Sequence, residues 1–74
     1  MSRLPVLSGD EFAKVMAQIG YVWDQTEGSH MILLHPEGRR LSVHRHRELG
    51  RGLIRSLIHD AGLTREQFMR LYRQ

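Results

Sequence analysis

The chain has 74 residues, a formal net charge of +3 and no cysteine. That length gives one small domain over residues 1–74, able to bury only roughly 60% of the surface its unfolded form exposes, so a large substrate would lie across it rather than inside it. Without cysteine there are no disulfides, thiolate metal sites or thiol nucleophiles, and no stretch approaches the roughly 20 apolar residues of a membrane span.

The first residues, Met1-Ser2-Arg3-Leu4-Pro5, lack the apolar core of a signal peptide, so a soluble cytoplasmic protein is expected. Ten of the eleven cationic residues are arginine, Lys14 being the exception. The planar guanidinium fork suits phosphate and stacks on bases, which favours a nucleic-acid partner. Genomic composition or heat adaptation would raise arginine as well.

Ser8-Gly9-Asp10-Glu11 reads as a helix start, with Ser8 and Glu11 placed for a reciprocal capping box. Phe12, Val15, Met16 and Ile19 follow at helical spacing, and Gly20 stops the helix, which spans about 9–19. The aromatic and β-branched run 21–26 predicts a strand, and Glu27-Gly28 a tight turn. A second strand covers 29–35, Pro36-Glu37-Gly38 is a turn, and a third strand covers 39–43. Connections this short force an antiparallel meander. A polar, cationic loop runs from His44 to Arg51. The second helix, 52–61, carries Leu53, Ile54, Leu57, Ile58 and Ala61 on one face and ends at Gly62. Thr64-Arg65-Glu66-Gln67 is another capping box, opening a short third helix with Phe68, Leu71 and Tyr72.

The fold class is therefore α+β, in the order α-β-β-β-α-α, with the apolar stripes of the helices buried on one face of a three-stranded sheet. In the second strand Met31 and Leu33 point one way and His30, Ile32 and Leu34 the other. An unpaired buried histidine is costly, so Met31 and Leu33 are expected against the helices. His30 then shares an open face with an apolar patch of Ile32 and Leu34, of the kind that marks a binding surface.

Gly28-Ser29-His30 sets an imidazole at the lip of the central strand, where it can give or take a proton near neutral pH. Spacing alone favours the plainer reading, a ring bonded to a turn carbonyl behind Gly28. His44 and His46 form a His-x-His pair, but with no carboxylate placed to help, no metal and no other cofactor is expected. His35 and His59 read as surface residues, and Tyr21 and Trp23 as core or interface aromatics.

In order and spacing these elements resemble the HicA toxins of bacterial type II toxin–antitoxin systems, also called YcfA-like proteins. The likeness runs from Ser8-Gly9 and the glycine-terminated helix through Gly28-Ser29-His30 and Pro36-Glu37-Gly38-Arg39-Arg40. It continues with Arg45-His46, Glu48, the run Gly52-Leu53-Ile54-Arg55-Ser56-Leu57-Ile58, and Ala61-Gly62-Leu63-Thr64. The resemblance implies a double-stranded-RNA-binding-domain-like fold, mRNA interferase activity, and a HicB-type antitoxin that masks the toxin. It also implies that His30 is the catalytic residue. His44 stands where the family usually has proline.

Metal-free RNA cleavage needs a proton acceptor for the 2′-hydroxyl, a proton donor for the leaving 5′-oxygen and cations around the phosphate. His30 is assigned to the acid/base role. Arg39, Arg40, Arg45 and Arg47 are the candidate phosphate-binding groups, with Arg51 beside the free N–H groups that open the second helix. Gly28, Ser29 and His46 complete the expected RNA-contacting set. The alternative on the same fold is a non-catalytic RNA-binding module that reads duplex shape and phosphates. A third is a protein-interaction domain using the Ile32 and Leu34 face.

Overall fold

Both expected capping boxes form. Ser8 Oγ accepts from the Glu11 N–H at 3.0 Å while Glu11 Oε1 accepts from the Ser8 N–H at 2.9 Å, opening α1 (Gly9–Ala17). Thr64 and Gln67 make the same exchange at the start of α3 (Arg65–Tyr72). The computed structural model describes residues 3–74. Between these helices lie β1 (Val22–Glu27), β2 (His30–Leu34), β3 (Arg40–His44) and α2 (Arg51–Asp60). The strands form one antiparallel sheet in the order β1-β2-β3, and the α-β-β-β-α-α arrangement is the double-stranded-RNA-binding-domain-like fold expected from the sequence.

The first helix ends two residues before its expected limit, and Gln18–Gly20 form the turn into β1. Glu27 pairs with His30, leaving Gly28 and Ser29 as a two-residue hairpin loop. Gly28 takes φ +61°, the left-handed value that such hairpin turns demand and that L side chains resist. The pairing slips by one residue between Trp23 and Gln25, so Asp24 is a bulge.

Met31, Leu33, Leu41 and Val43 face the helices and are sealed against Phe12, Met16, Ile54 and Phe68. The rings of Phe12 and Phe68 stack at 5.7 Å. Burying one such side chain stabilises by about 1.5–3 kcal/mol, whereas an exposed ion pair contributes about 0–1 kcal/mol. The apolar core therefore holds the fold, and most surface charge remains open to other uses. Leu4, Leu7 and Leu49, from segments without periodicity, also join the core. Leu49 N–H donates to the Leu7 carbonyl at 2.6 Å, which ties the chain's first segment to the end of the cationic loop.

Three side chains depart from expectation. Ile32 faces away from the helices yet is only 2% exposed. Arg40 on β3 reaches Glu27 on β1, so this ion pair spans the central strand above Ile32, between its register partners Gln25 and Ser42. The anticipated apolar patch shrinks to Leu34. Leu53 is exposed, at the edge of the α2 stripe. His35 is half-buried rather than superficial: its Nδ1 accepts from the Glu37 N–H at 3.1 Å, so Nε2 carries the proton donated to the Ile19 carbonyl at 2.8 Å. Trp23 remains exposed on the α1 side, while Tyr21 is buried. Among the described residues no helix is long and apolar enough to cross a membrane.

Candidate functional site

A turn centred on Glu37 places residues equally distant on either side opposite one another, and so sets His30 against His44. Both rings point to the face away from the helices, and both are half-buried. Their centroids are 4.1 Å apart with planes at 84°. The His46 ring lies 5.2 Å beyond His44, making a row of three imidazoles. Ser42 Oγ sits 3.4 Å from His30 Nδ1. Glu27 is the cross-strand partner of His30 on the opposite side, and accepts from Gln25 Nε2 at 2.8 Å. Among the described residues no group of three or more histidine, aspartate or glutamate side chains is arranged to hold a metal ion.

The segment after β3 is clamped at its backbone. The Arg45 N–H donates to the Ser29 carbonyl at 2.8 Å, and the Gly9 N–H to the His46 carbonyl at 2.9 Å. Gly9 lies directly on the end of β3: a β-carbon there would stand 2.0 Å from the His44 carbonyl oxygen. The helix start thus lacks a side chain where α1 meets the histidine-bearing backbone. Beside this junction an open hollow is lined by Ser8, Asp10, Arg45, His46 and Arg47. Arg45 is held by Asp10 through two hydrogen bonds of 3.1 Å and stacks on Trp23 at 4.9 Å. The Asp10 hydrogen bonds, reinforced by its charge, raise the Arg45 pKa above its ordinary value. His46 belongs both to the hollow and to the imidazole row, and so links the two.

The family model described as the HicA toxin of bacterial toxin–antitoxin systems matches residues 9–63. The chain belongs to the HicA toxin family. It is thereby the toxin component of a toxin–antitoxin pair, a role that implies an antitoxin partner. Comparison with curated proteins gives no match.

The matched HicA region holds every candidate site residue, but the fold does not gather them all. Gly28, Ser29, His30, Arg45, His46 and Arg47 meet at one end of the sheet. Arg40 starts from the far end, about 13 Å along the strand from His30, and its side chain returns to Glu27 at 3.8 Å. Arg39 does not return. Its Nη1 donates to the Ala61 carbonyl at 3.3 Å, satisfying the C-terminal end of α2. Arg51 Nε donates to the Leu4 carbonyl at 2.7 Å and fastens the first segment of the chain. These two HicA arginines have structural partners. Ser42, Glu27 and Gly9 were absent from the sequence-derived site. The turn position gave the register that exposes the first, but nothing local announces the close approach at Gly9.

Proposed function

We propose that this toxin is a metal-independent endoribonuclease, an mRNA interferase, with His30 as its general acid/base. The observation that carries this reading is the half-buried imidazole of His30 on the face away from the helices, joined through His44 and His46 to the hollow bearing Arg45 and Arg47. An RNA strand laid across this end would rest its phosphates on Arg45 and Arg47, with the Gly28-Ser29 hairpin alongside. Arg40 is a further phosphate ligand once Glu27 releases it, since an exposed pair of this kind contributes only about 0–1 kcal/mol.

The 2′-oxygen attacks the adjacent phosphorus, its proton passes to an imidazole, and the 5′-oxygen leaves with a proton. The guanidinium groups offset the charge that gathers on the phosphate oxygens. Target mRNA places the protein in the cytoplasm, and an antitoxin of the HicB type would silence it by covering this end of the sheet.

His30→Ala is the test. Growth arrest on expression and cleavage of RNA by the purified protein are expected to fall about 10²–10⁴-fold while the fold persists. A variant that cuts RNA as fast as the parent overturns the assignment. Retained RNA binding without cleavage by the wild-type chain would instead identify a non-catalytic binding module.

A further inference from the structure

We infer that His44 is the second proton-transfer group, so that His30 and His44 divide the acid and base roles between them. This inference rests on the ribonuclease reading and extends it. The two residues are register partners on β2 and β3, at the end where the basic hollow begins. Their rings are in contact at 4.1 Å, and with planes 84° apart they direct their nitrogens along different lines. One ribose-phosphate unit lying over the pair therefore meets two imidazoles.

Cleavage needs two proton movements on opposite sides of phosphorus. A bond forms between the 2′-oxygen and phosphorus, and the 2′-hydroxyl proton passes to the neutral imidazole. The bond from phosphorus to the 5′-oxygen breaks, and that oxygen takes a proton from the other, protonated imidazole. The products are a 2′,3′-cyclic phosphate and a free 5′-hydroxyl, and the two rings have exchanged protonation states. Solvent restores them before the next turnover. A single ring would have to serve both oxygens in turn.

His46 is a weaker candidate for the second role. It is exposed, lies beyond the strand, and reaches His30 only across His44. Ser42 touches His30 Nδ1 but has no titratable proton near neutral pH, which makes it a positioning residue. The remaining ionisable side chain in the His30 row, Glu27, contacts Arg40 and Gln25.

The experiment compares wild type, His30→Ala, His44→Gln, His44→Phe and the exposed control His59→Ala on two substrates. One is an RNA dinucleotide; the other carries an activated aryl leaving group in place of the 5′-nucleoside. Melting curves confirm folding, and the two His44 variants guard against the failure of either. Wild type is expected to show a bell-shaped pH profile of kcat/KM on the dinucleotide. Both His44 variants are expected to lose about 10²–10⁴-fold in kcat, with KM nearly unchanged, and to lose one limb of the bell. The aryl leaving group departs without a proton, so it rescues either His30→Ala or the His44 variants, and the rescued position is the acid. Rescue of both, of neither, or a wild-type kcat for the His44 variants overturns the pairing while leaving His30 in place. A rise in KM alone reduces His44 to a phosphate contact and overturns it equally. Wild type that cleaves neither substrate removes the ribonuclease reading itself.

Discussion

Gly9→Ala tests whether the close approach of α1 to β3 is what positions the site. The added β-carbon would lie 2.0 Å from the His44 carbonyl oxygen and 3.1 Å from the Arg45 Cα, where ordinary contact begins at 3.4 Å. Helix and strand end would have to part by more than 1 Å, since both obstacles are backbone. Forced overpacking of this kind costs about 1–3 kcal/mol. Parting also weakens the bond from the Gly9 N–H to the His46 carbonyl, whose net contribution is about 0.5–1.5 kcal/mol. Against these stands the helix preference for alanine over glycine, about 1 kcal/mol at most. The balance is a loss of about 2 kcal/mol, which for a domain this small lowers Tm by about 8–16 °C. Circular dichroism melting measures it. Cleavage well below the melting range is also expected to fall, because the displaced backbone carries His44, Arg45 and His46. Helix propensity alone gives the opposite sign, so an unchanged or raised Tm refutes the steric account.

Arg39→Ala is expected to cost about 0.5–1.5 kcal/mol of stability through the freed α2 carbonyl, while leaving the salt dependence of RNA binding as it was; denaturant titration and filter binding read the two effects. Arg47→Ala should do the reverse, leaving stability within about 0.5 kcal/mol and flattening the slope of log K against log salt by about 0.7. Asp10→Asn removes a negative charge from the hollow and frees Arg45, so tighter RNA binding is expected with little change in stability, the pair being exposed, and weaker binding would contradict the placement of phosphate there. The Ser8 backbone N–H, joined by the Ser8 hydroxyl contact, holds the Glu11 carboxyl below its ordinary 4.5. A lowered folded-state pKa contributes stability that is complete above the unfolded value and is lost as pH falls through the folded one. Glu11→Gln should therefore flatten the decline of Tm with pH below about 4.5, and an unchanged decline would remove the capping carboxylate as its source.

The legible features of this chain were those decided within a few residues. A cap and the residue three positions on satisfy each other locally, which is why Ser8 with Glu11 and Thr64 with Gln67 marked both helix starts. Strand alternation together with the cost of burying His30 placed Met31 and Leu33 inward. Alternation could not show that Arg40 and Glu27 would close over Ile32, because that cover comes from two other strands. Leu4, Leu7 and Leu49 carry no period, so their burial follows from tertiary pairing alone. The arginines were the least readable. Arg39, Arg45 and Arg51 look alike in sequence, yet a helix-end carbonyl, a carboxylate and a backbone carbonyl of the first segment separate their roles.

That separation bears on how such a toxin can be restrained. Arg39 secures α2 beyond the Leu34 end of the sheet, while the imidazole row and the Arg45–Arg47 hollow occupy the other. The Arg45–Arg47 hollow beside the proposed reactive groups is open, so a partner must cover it rather than fill it. A partner that lays carboxylates over Arg45 and Arg47 would occupy the phosphate positions and screen His30 and His44 in the same contact. It would also gain from the chain's net positive charge, which speeds the encounter of oppositely charged surfaces. Asp10 fills the Arg45 fork within the molecule, by the carboxylate chemistry that an acidic partner segment would use.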